Sequence, residues 1–296
     1  MTNPVTAVVS RSRGWPVPRR TWLLRMVWED LLFAHWPCDP ASLEPHLPPG
    51  LALDTFDGRA WLGIVPFRIS GIRARCLPAI PGLTSFPELN LRTYVLADGK
   101  PGVWFFSLDA TSRAAVRCAR RFYHLPYRDA RITCSATRDG WIDYRCRRCD
   151  SQHSPAEFSA RYRPLGGADA VAADPLATWL TARYCLYSAD RRRRVWRGEI
   201  DHVPWSLETA EDRGLRVLGD AHALIGDLDA TATALPADLD PDARRRLRPL
   251  RGLGVQQALR QGLQRRVDRF GSALGAGDEV SHGSPYELAP TVTAIG

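Results

Sequence analysis

Three Asp-Gly dipeptides, Asp57-Gly58, Asp98-Gly99 and Asp139-Gly140, each stand between runs in which apolar and polar residues alternate. A two-residue hairpin loop needs positive φ at its central positions, which Gly adopts freely and Asp tolerates. The chain is therefore expected to be built from antiparallel hairpins. Strands are expected over residues 27–36, 51–55, 60–69, 88–97, 103–108, 131–137, 141–147 and 157–163, and around 195–202. Helices are fewer. Asp39-Pro40 should open a short one to Leu47, and Asp174-Pro175 another to about Arg183, with Pro at the first position of each. A third is expected over 114–123, capped by Asp109 or Ser112. This pattern implies an α+β fold, mainly an antiparallel β-barrel or cone with a few short helices.

Residues 86–95 make the alternation chemical. Leu89, Leu91, Thr93 and Val95 fall on one face of the strand; Glu88, Asn90 and Arg92 fall on the other. On a wet face these three would be ordinary surface. On an enclosed face, an acid, an amide and a guanidinium in line would make a site for a small polar molecule. Glu88 and Arg92 are separated by roughly 13 Å of extended strand, too far to pair directly.

The 296 residues carry a net charge of +8, almost entirely from arginine, because Lys100 is the only lysine. A mechanism that forms a Schiff base thus has a single candidate amine. All ten tryptophans lie at or before Trp205, while residues 212–296 hold 11 Arg against 11 acidic residues. These shifts divide the chain into a loose arm (1–20), a β domain (21–211) and a low-aromatic tail (212–296) that is partly helical or disordered. Helix candidates in the tail are 243–250 and 255–270. The seven cysteines, the lack of an apolar leader and the lack of a bilayer-length apolar run fit a cytoplasmic protein without a membrane partner.

Other motifs are weaker. Arg68, late in its strand, could face the same interior as Arg92 and help clamp a carboxylate, although a solvated position is the blander reading. Cys146 and Cys149, with Cys134 and His153 nearby, supply one tight pair where structural zinc needs four ligands, so two free thiols are expected and no metal. Arg191–Arg194 reads as a solvated hairpin tip before it reads as a phosphate contact. His35, His124 and His202 could carry protons, the last beside Asp201 and Glu199, yet none has a matched nucleophile. Walker and dinucleotide loops are missing, so no cofactor is expected.

Leu31-Leu-Phe-Ala-His-Trp-Pro37, Val65-Pro-Phe-Arg68, Phe86-Pro-Glu-Leu-Asn-Leu-Arg-Thr-Tyr-Val95 and Arg197-Gly-Glu-Ile-Asp-His202, with residues 53–63, 102–110 and 125–127, resemble the YqjF-like family. That bacterial family is uncharacterised and is grouped with acetoacetate-decarboxylase-like barrels. The resemblance covers roughly residues 15–211 and implies a barrel or cone with an enclosed polar pocket, in which Glu88 matches a barrel-strand glutamate. The decarboxylases' Schiff-base lysine pair is absent: the similar stretch here is Leu125-Pro-Tyr-Arg-Asp129, with Tyr127 and Arg128 where lysines would stand. Nothing after Glu211 resembles the family's closing aromatic strand.

The leading expectation is a pocket for an organic acid or carbonyl compound. Glu88, Asn90, Arg92 and Arg68 would bind the ligand, and His124, His202 or Glu88 would move protons if the protein is an enzyme that works without an imine. The alternative is a non-catalytic binding or interaction module; nucleic acid bound through arginines is the third choice. A homo-oligomer is left open.

Overall fold

The computed structural model describes residues 14–16, 22–75, 84–165, 174–202, 205, 207–218, 250–252 and 287–288. The helix expected over 255–270 lies outside the described residues, as do residues 1–13 of the arm and 243–249 of the other tail helix.

The chain is dominated by strands. The first expected strand is interrupted once: β1 (Leu24–Glu29) and β2 (Leu31–Cys38) flank Asp30, whose φ is 54°. Both pair antiparallel with the long β4 (Ala60–Ala74), through Glu29↔Arg68 and Ala34↔Ile64. Asp30 is thus a kink in one line of pairing. Helix α1 (Pro40–Leu43) follows, with the Asp39 carboxylate accepting from the Ala41 N–H at 2.9 Å, and a 3-10 turn at Glu44–His46 completes the expected short helix.

The Asp57-Gly58 turn forms, with φ of 51° and 71° and two mutual 3.0 Å backbone bonds between Phe56 and Arg59. Its leading arm does not pair with β4, however. The short β3 (Ala52–Leu53) crosses to β5 (Phe86–Ala97) instead. Asp98-Gly99 makes a two-residue turn with both φ positive, so β6 (Lys100–Ala110) starts at once rather than at residue 103. Ser112, not Asp109, caps α2 (Arg113–Phe122). That helix carries the chain over to β7 (Tyr127–Ala136), which lies parallel to β6. The hairpin at Asp139-Gly140 then joins β7 to β8 (Ile142–Arg148), and β9 (Glu157–Pro164) extends the same antiparallel surface.

Asp174 caps α3 (Pro175–Thr181) as expected, through a 2.9 Å bond from the Leu176 N–H. β10 (Cys185–Ala189), which sequence reading passed over, runs parallel to β6 and antiparallel to β11 (Val195–Glu199). β12 (Leu207–Leu218) pairs with β9 straight through the expected boundary at 211, with Glu211 opposite Arg163 and Arg216 opposite Ser159. The drop in aromatic content occurs within this ladder, whose register shifts once between Arg213 and Arg216, and does not mark its end. Two short strands, β13 (Leu250–Gly252) between β12 and β2 and β14 (Glu287–Leu288) beside β11, complete the described sheet. Its path runs β14-β11-β10-β6-β7-β8-β9-β12-β13-β2-β4-β5-β3, with an additional β5–β6 pairing.

The central strands are buried on both faces. Leu32, Leu62, Ile64 and Leu91 point into one apolar cluster with Tyr144, Phe158 and Tyr162. The opposite positions of β2 and β4, such as Phe33, Val65 and Phe67, pack with Val116 of α2 and Ala177 of α3. Trp61 and Tyr94 pack with Leu176 and Leu180. This covering of the second face takes the polar row of β5 out of water.

Candidate functional site

Glu88, Asn90 and Arg92 are all buried, at 2%, 3% and 6% exposure. Their cross-strand partners on β4 are Phe67, Val65 and Gly63, so all three point into the side packed beneath α2 and α3. An isolated buried polar group is costly unless it is paired. The three are treated differently.

The Glu88 carboxyl accepts a hydrogen bond at 2.9 Å from the Tyr127 hydroxyl, and its backbone carbonyl accepts one at 2.7 Å from the Tyr144 hydroxyl. Tyr127 is delivered by the parallel β6–β7 pairing, which aligns it with Leu108 and, through Leu108, with Asn90. Burial pushes the Glu88 carboxyl up to about 8; the bond from Tyr127 opposes this and the charge of Asp109 adds to it. Burial and the neighbouring carboxyl likewise hold Tyr127 well above its usual value, so it stays a neutral phenol. At neutral pH Glu88 is mostly an acid with a proton to give.

Arg92 lies 5.0 Å over the Phe33 ring and 5.5 Å over that of Tyr94. It donates through Nη2 to the Tyr94 hydroxyl at 3.1 Å, and that hydroxyl lies 2.6 Å from Nε2 of His35. Burial, with the charge of Arg92 second, holds His35 well below its usual value, so its ring is neutral. A neutral Nε2 can accept the Tyr94 proton, giving the order Arg92 to Tyr94 to His35. Gly63 makes room for this: a Cβ there would stand 2.8 Å from Nε2 of His35 and 3.3 Å from Cγ of Arg92. No carboxylate pairs with Arg92 among the described residues, and its Nε has no partner. Arg183 is the contrast. It too is buried and lies 4.7 Å over Tyr94, but it forms an ion pair with Asp54.

The carboxamide oxygen of Asn90, between the two ends of the row, also lacks a partner. On the other face of β5, a cavity of about 20 Å³ lined by Leu89, Leu91, Ser107, Asp109 and Arg148 among others is on the scale of one water molecule.

The remaining sequence candidates stand elsewhere. Arg68 follows Phe67, the partner of Glu88, and therefore points to the other face; it is half exposed and pairs with Glu29 at 3.2 Å and Asp30 at 3.0 Å. Period 2 separates it from Arg92. His124 packs its ring 5.4 Å from Trp196. His202 is stacked 4.5 Å from Tyr184 and bonds the Arg183 carbonyl at 3.1 Å. Its ring also lies 5.2 Å from that of Trp205, which in turn touches Phe33 beneath Arg92. Lys100 sits in the β5–β6 turn, 3.8 Å from Glu199. Among the described residues, no group of three or more His, Cys, Asp or Glu side chains could hold a metal. Cys146 is buried in the core while Cys149 is exposed. Sequence reading assigned no role to Tyr94 or to the Tyr127 hydroxyl. The signal available for Tyr94 was its place two residues beyond Arg92 on the same face.

Comparison with known proteins agrees with the sequence resemblance. The uncharacterized protein YqjF of Bacillus subtilis (strain 168) is 45% identical over 209 residues, covering 70% of this chain and 85% of that protein. Among solved structures, the enduracididine biosynthesis enzyme MppR complexed with pyruvate aligns over 70% of this chain and 82% of its own at 14% identity and a TM-score of 0.46. An acetoacetate decarboxylase from Legionella pneumophila aligns over 74% and 84% at 13% identity and a TM-score of 0.44. At such TM-scores these likenesses transfer no residue roles. The model of a family described as an uncharacterized conserved protein matches residues 25–242, beyond the 211 at which the sequence resemblance stopped. With a match of that extent and a relative of that identity, the chain belongs to the DUF2071 family.

Proposed function

We propose that the polar row of β5 binds a small organic acid or carbonyl compound, with Arg92 holding an anionic group and Glu88 acting as a proton donor and acceptor. The observation that carries this reading is Arg92: a buried guanidinium with no carboxylate partner among the described residues is an expensive arrangement that a bound anion would relieve. Glu88 lies up-strand, protonated near neutrality and backed by the Tyr127 hydroxyl. With a carboxylate on Arg92, Glu88 in its carboxylate form, held by the Tyr127 hydrogen bond, would take a proton from the carbon beside the ligand's carbonyl group. The C–H electron pair becomes the enolate, and the protonated Glu88 then returns its proton to carbon or gives it to the enolate oxygen. This is proton transfer beside a carbonyl group, without an imine. The only lysine lies at the far turn of the same strand, so a Schiff base is not part of the proposal.

An enclosed, barrel-like setting is part of the same reading. It is supported by the β5–β6 pairing at one side of the sheet and by β13 joining β12 to β2 at the other. A cytoplasmic location fits the six described cysteines, none of which forms a disulfide.

The test is a thermal-shift screen of small oxo and hydroxy acids, followed by NMR of substrate proton exchange in D2O. Carboxylates should raise the melting temperature of wild type but not of Arg92→Met. Glu88→Gln should keep binding and lose exchange. Binding that survives in Arg92→Met, or a flat response across a broad acid library, would remove the basis of the proposal. Binding without exchange would identify a carrier or sensor using the same row.

A further inference from the structure

The outer surface of β7, β8, β9 and β12 carries a charge asymmetry that the β5 site does not use. Ile132, Tyr144, Cys146, Phe158 and Ala160 point into the core, so alternation sends Arg131, Thr133, Arg145, Arg147, Ser159 and Arg161 outward. They line an open groove of about 1150 Å³ whose walls hold seven arginines, including Arg213 and Arg216 from β12, against two acids, Asp143 and Glu157.

The register shows which of these charges are already neutralised. Arg147 has Glu157 at 3.0 Å, Arg161 has Asp143 at 3.7 Å, and Arg213 has Glu211 at 3.0 Å. Arg131, Arg145 and Arg216 on the strands, and Arg113 at the start of α2, have no ion-pair partner among the described residues. Arg131 is moreover directly opposite Arg147, a like-charge pair that disfavours the bare sheet. One row across the four strands reads Thr133, Arg145, Ser159, Arg216, alternating hydroxyl and guanidinium. Hydroxyls and forked guanidinium groups are the donors that grip phosphate oxygens.

We propose that this groove binds the phosphodiester backbone of a single-stranded nucleic acid, with Arg131, Arg145 and Arg216 on the phosphates and Thr133 and Ser159 beside them. The three unpaired arginines of the sheet lie on different strands, about 8–10 Å apart by strand spacing and residue rise, so they address successive groups of an extended polyanion and not one small anion. The three groups follow one another over three inter-strand spacings, ~14 Å, a length that a few nucleotides of one extended strand would cover. The Arg191–Arg194 run is a separate feature at a hairpin tip, and half of it is engaged: Arg194 pairs with Asp190 at 2.7 Å and Arg193 donates to the Leu47 carbonyl at 3.2 Å.

Fluorescence anisotropy of the full chain with a labelled oligo(dT) strand tests this between 50 and 300 mM salt. Wild type should bind with a strong salt dependence. The Arg131→Gln/Arg145→Gln/Arg216→Gln variant should lose at least about tenfold in affinity and about 2 from the log–log salt slope, since each single-strand phosphate contact contributes about 0.7. The corresponding Arg→Lys variant should keep the slope, and Arg191→Gln/Arg192→Gln/Arg194→Gln should bind like wild type. If the triple Gln variant does not fold, Ser159→Asp places one negative charge in the same row and should weaken binding by about a third as much, with about 0.7 off the salt slope. No binding by wild type at 50 mM salt would overturn the assignment. So would equal affinity for a duplex, an unchanged slope in the triple variant, or binding to phosphatidylserine vesicles without binding to the strand.

Discussion

Replacing Glu88 with Gln gives a direct reading of how strongly the fold protonates this carboxyl. Its value in the native protein is about 8 against a usual 4.5, with burial the main cause. The native state therefore holds the proton more tightly than the unfolded chain. The corresponding stability is fully present below about pH 4.5 and is lost as the pH rises to about 8. The gap corresponds to about 5 kcal/mol at 1.36 kcal/mol per pH unit, of which roughly 3 kcal/mol should disappear between pH 5 and pH 8. Gln keeps the shape and the acceptor for the Tyr127 hydroxyl but cannot ionise. Urea unfolding of wild type and Glu88→Gln at pH 5 and pH 8, at constant ionic strength, should show the variant gaining about 3 kcal/mol on wild type over that interval. At a urea slope of ~2 kcal/mol/M this is a change in relative midpoint of ~1.5 M. Parallel pH profiles for the two proteins would refute the buried, protonated carboxyl and, with it, the acid assigned to the site.

Arg92→Met should stabilise the ligand-free protein by about 1–3 kcal/mol, because it removes a buried charge that lacks a carboxylate partner; chemical denaturation checks the sign. Arg148→Ala should do the opposite. It strips Asp109 of two buried bonds of 2.8 and 2.9 Å, at a cost of about 3–5 kcal/mol, and pairing it with Asp109→Leu should recover much of the loss. Gly102→Ala would place a Cβ 2.6 Å from the Tyr187 ring and 2.9 Å from the Cys185 carbonyl oxygen, so a loss of about 1–3 kcal/mol is expected in thermal melts.

The parts of this protein that were legible in its sequence are those decided within a few residues. Asp57-Gly58, Asp98-Gly99 and Asp139-Gly140 each mark a turn because positive φ is a local steric matter. Asp39 and Asp174 cap their helices because a carboxylate two residues before an amide is a local hydrogen bond. Period 2 alone put Glu88, Asn90 and Arg92 on a common face. The same rule places Arg68 on the opposite face from Glu88, once the register makes Phe67 the partner of Glu88.

What the row faces was decided by tertiary structure. Alternation says which side chains share a face but not whether that face is wet, and here the packing of α2 and α3 buries it. The groups that tune the row come from distant segments. Tyr127 is 39 residues from Glu88, and His35 is 59 from Tyr94. The arginine groove is likewise a product of register, assembled from four strands none of which shows a basic run of the kind seen at Arg191–Arg194. Local geometry is written into neighbouring residues. Burial, pairing and charge balance depend on which strands come to lie side by side, and that is a property of the folded sheet.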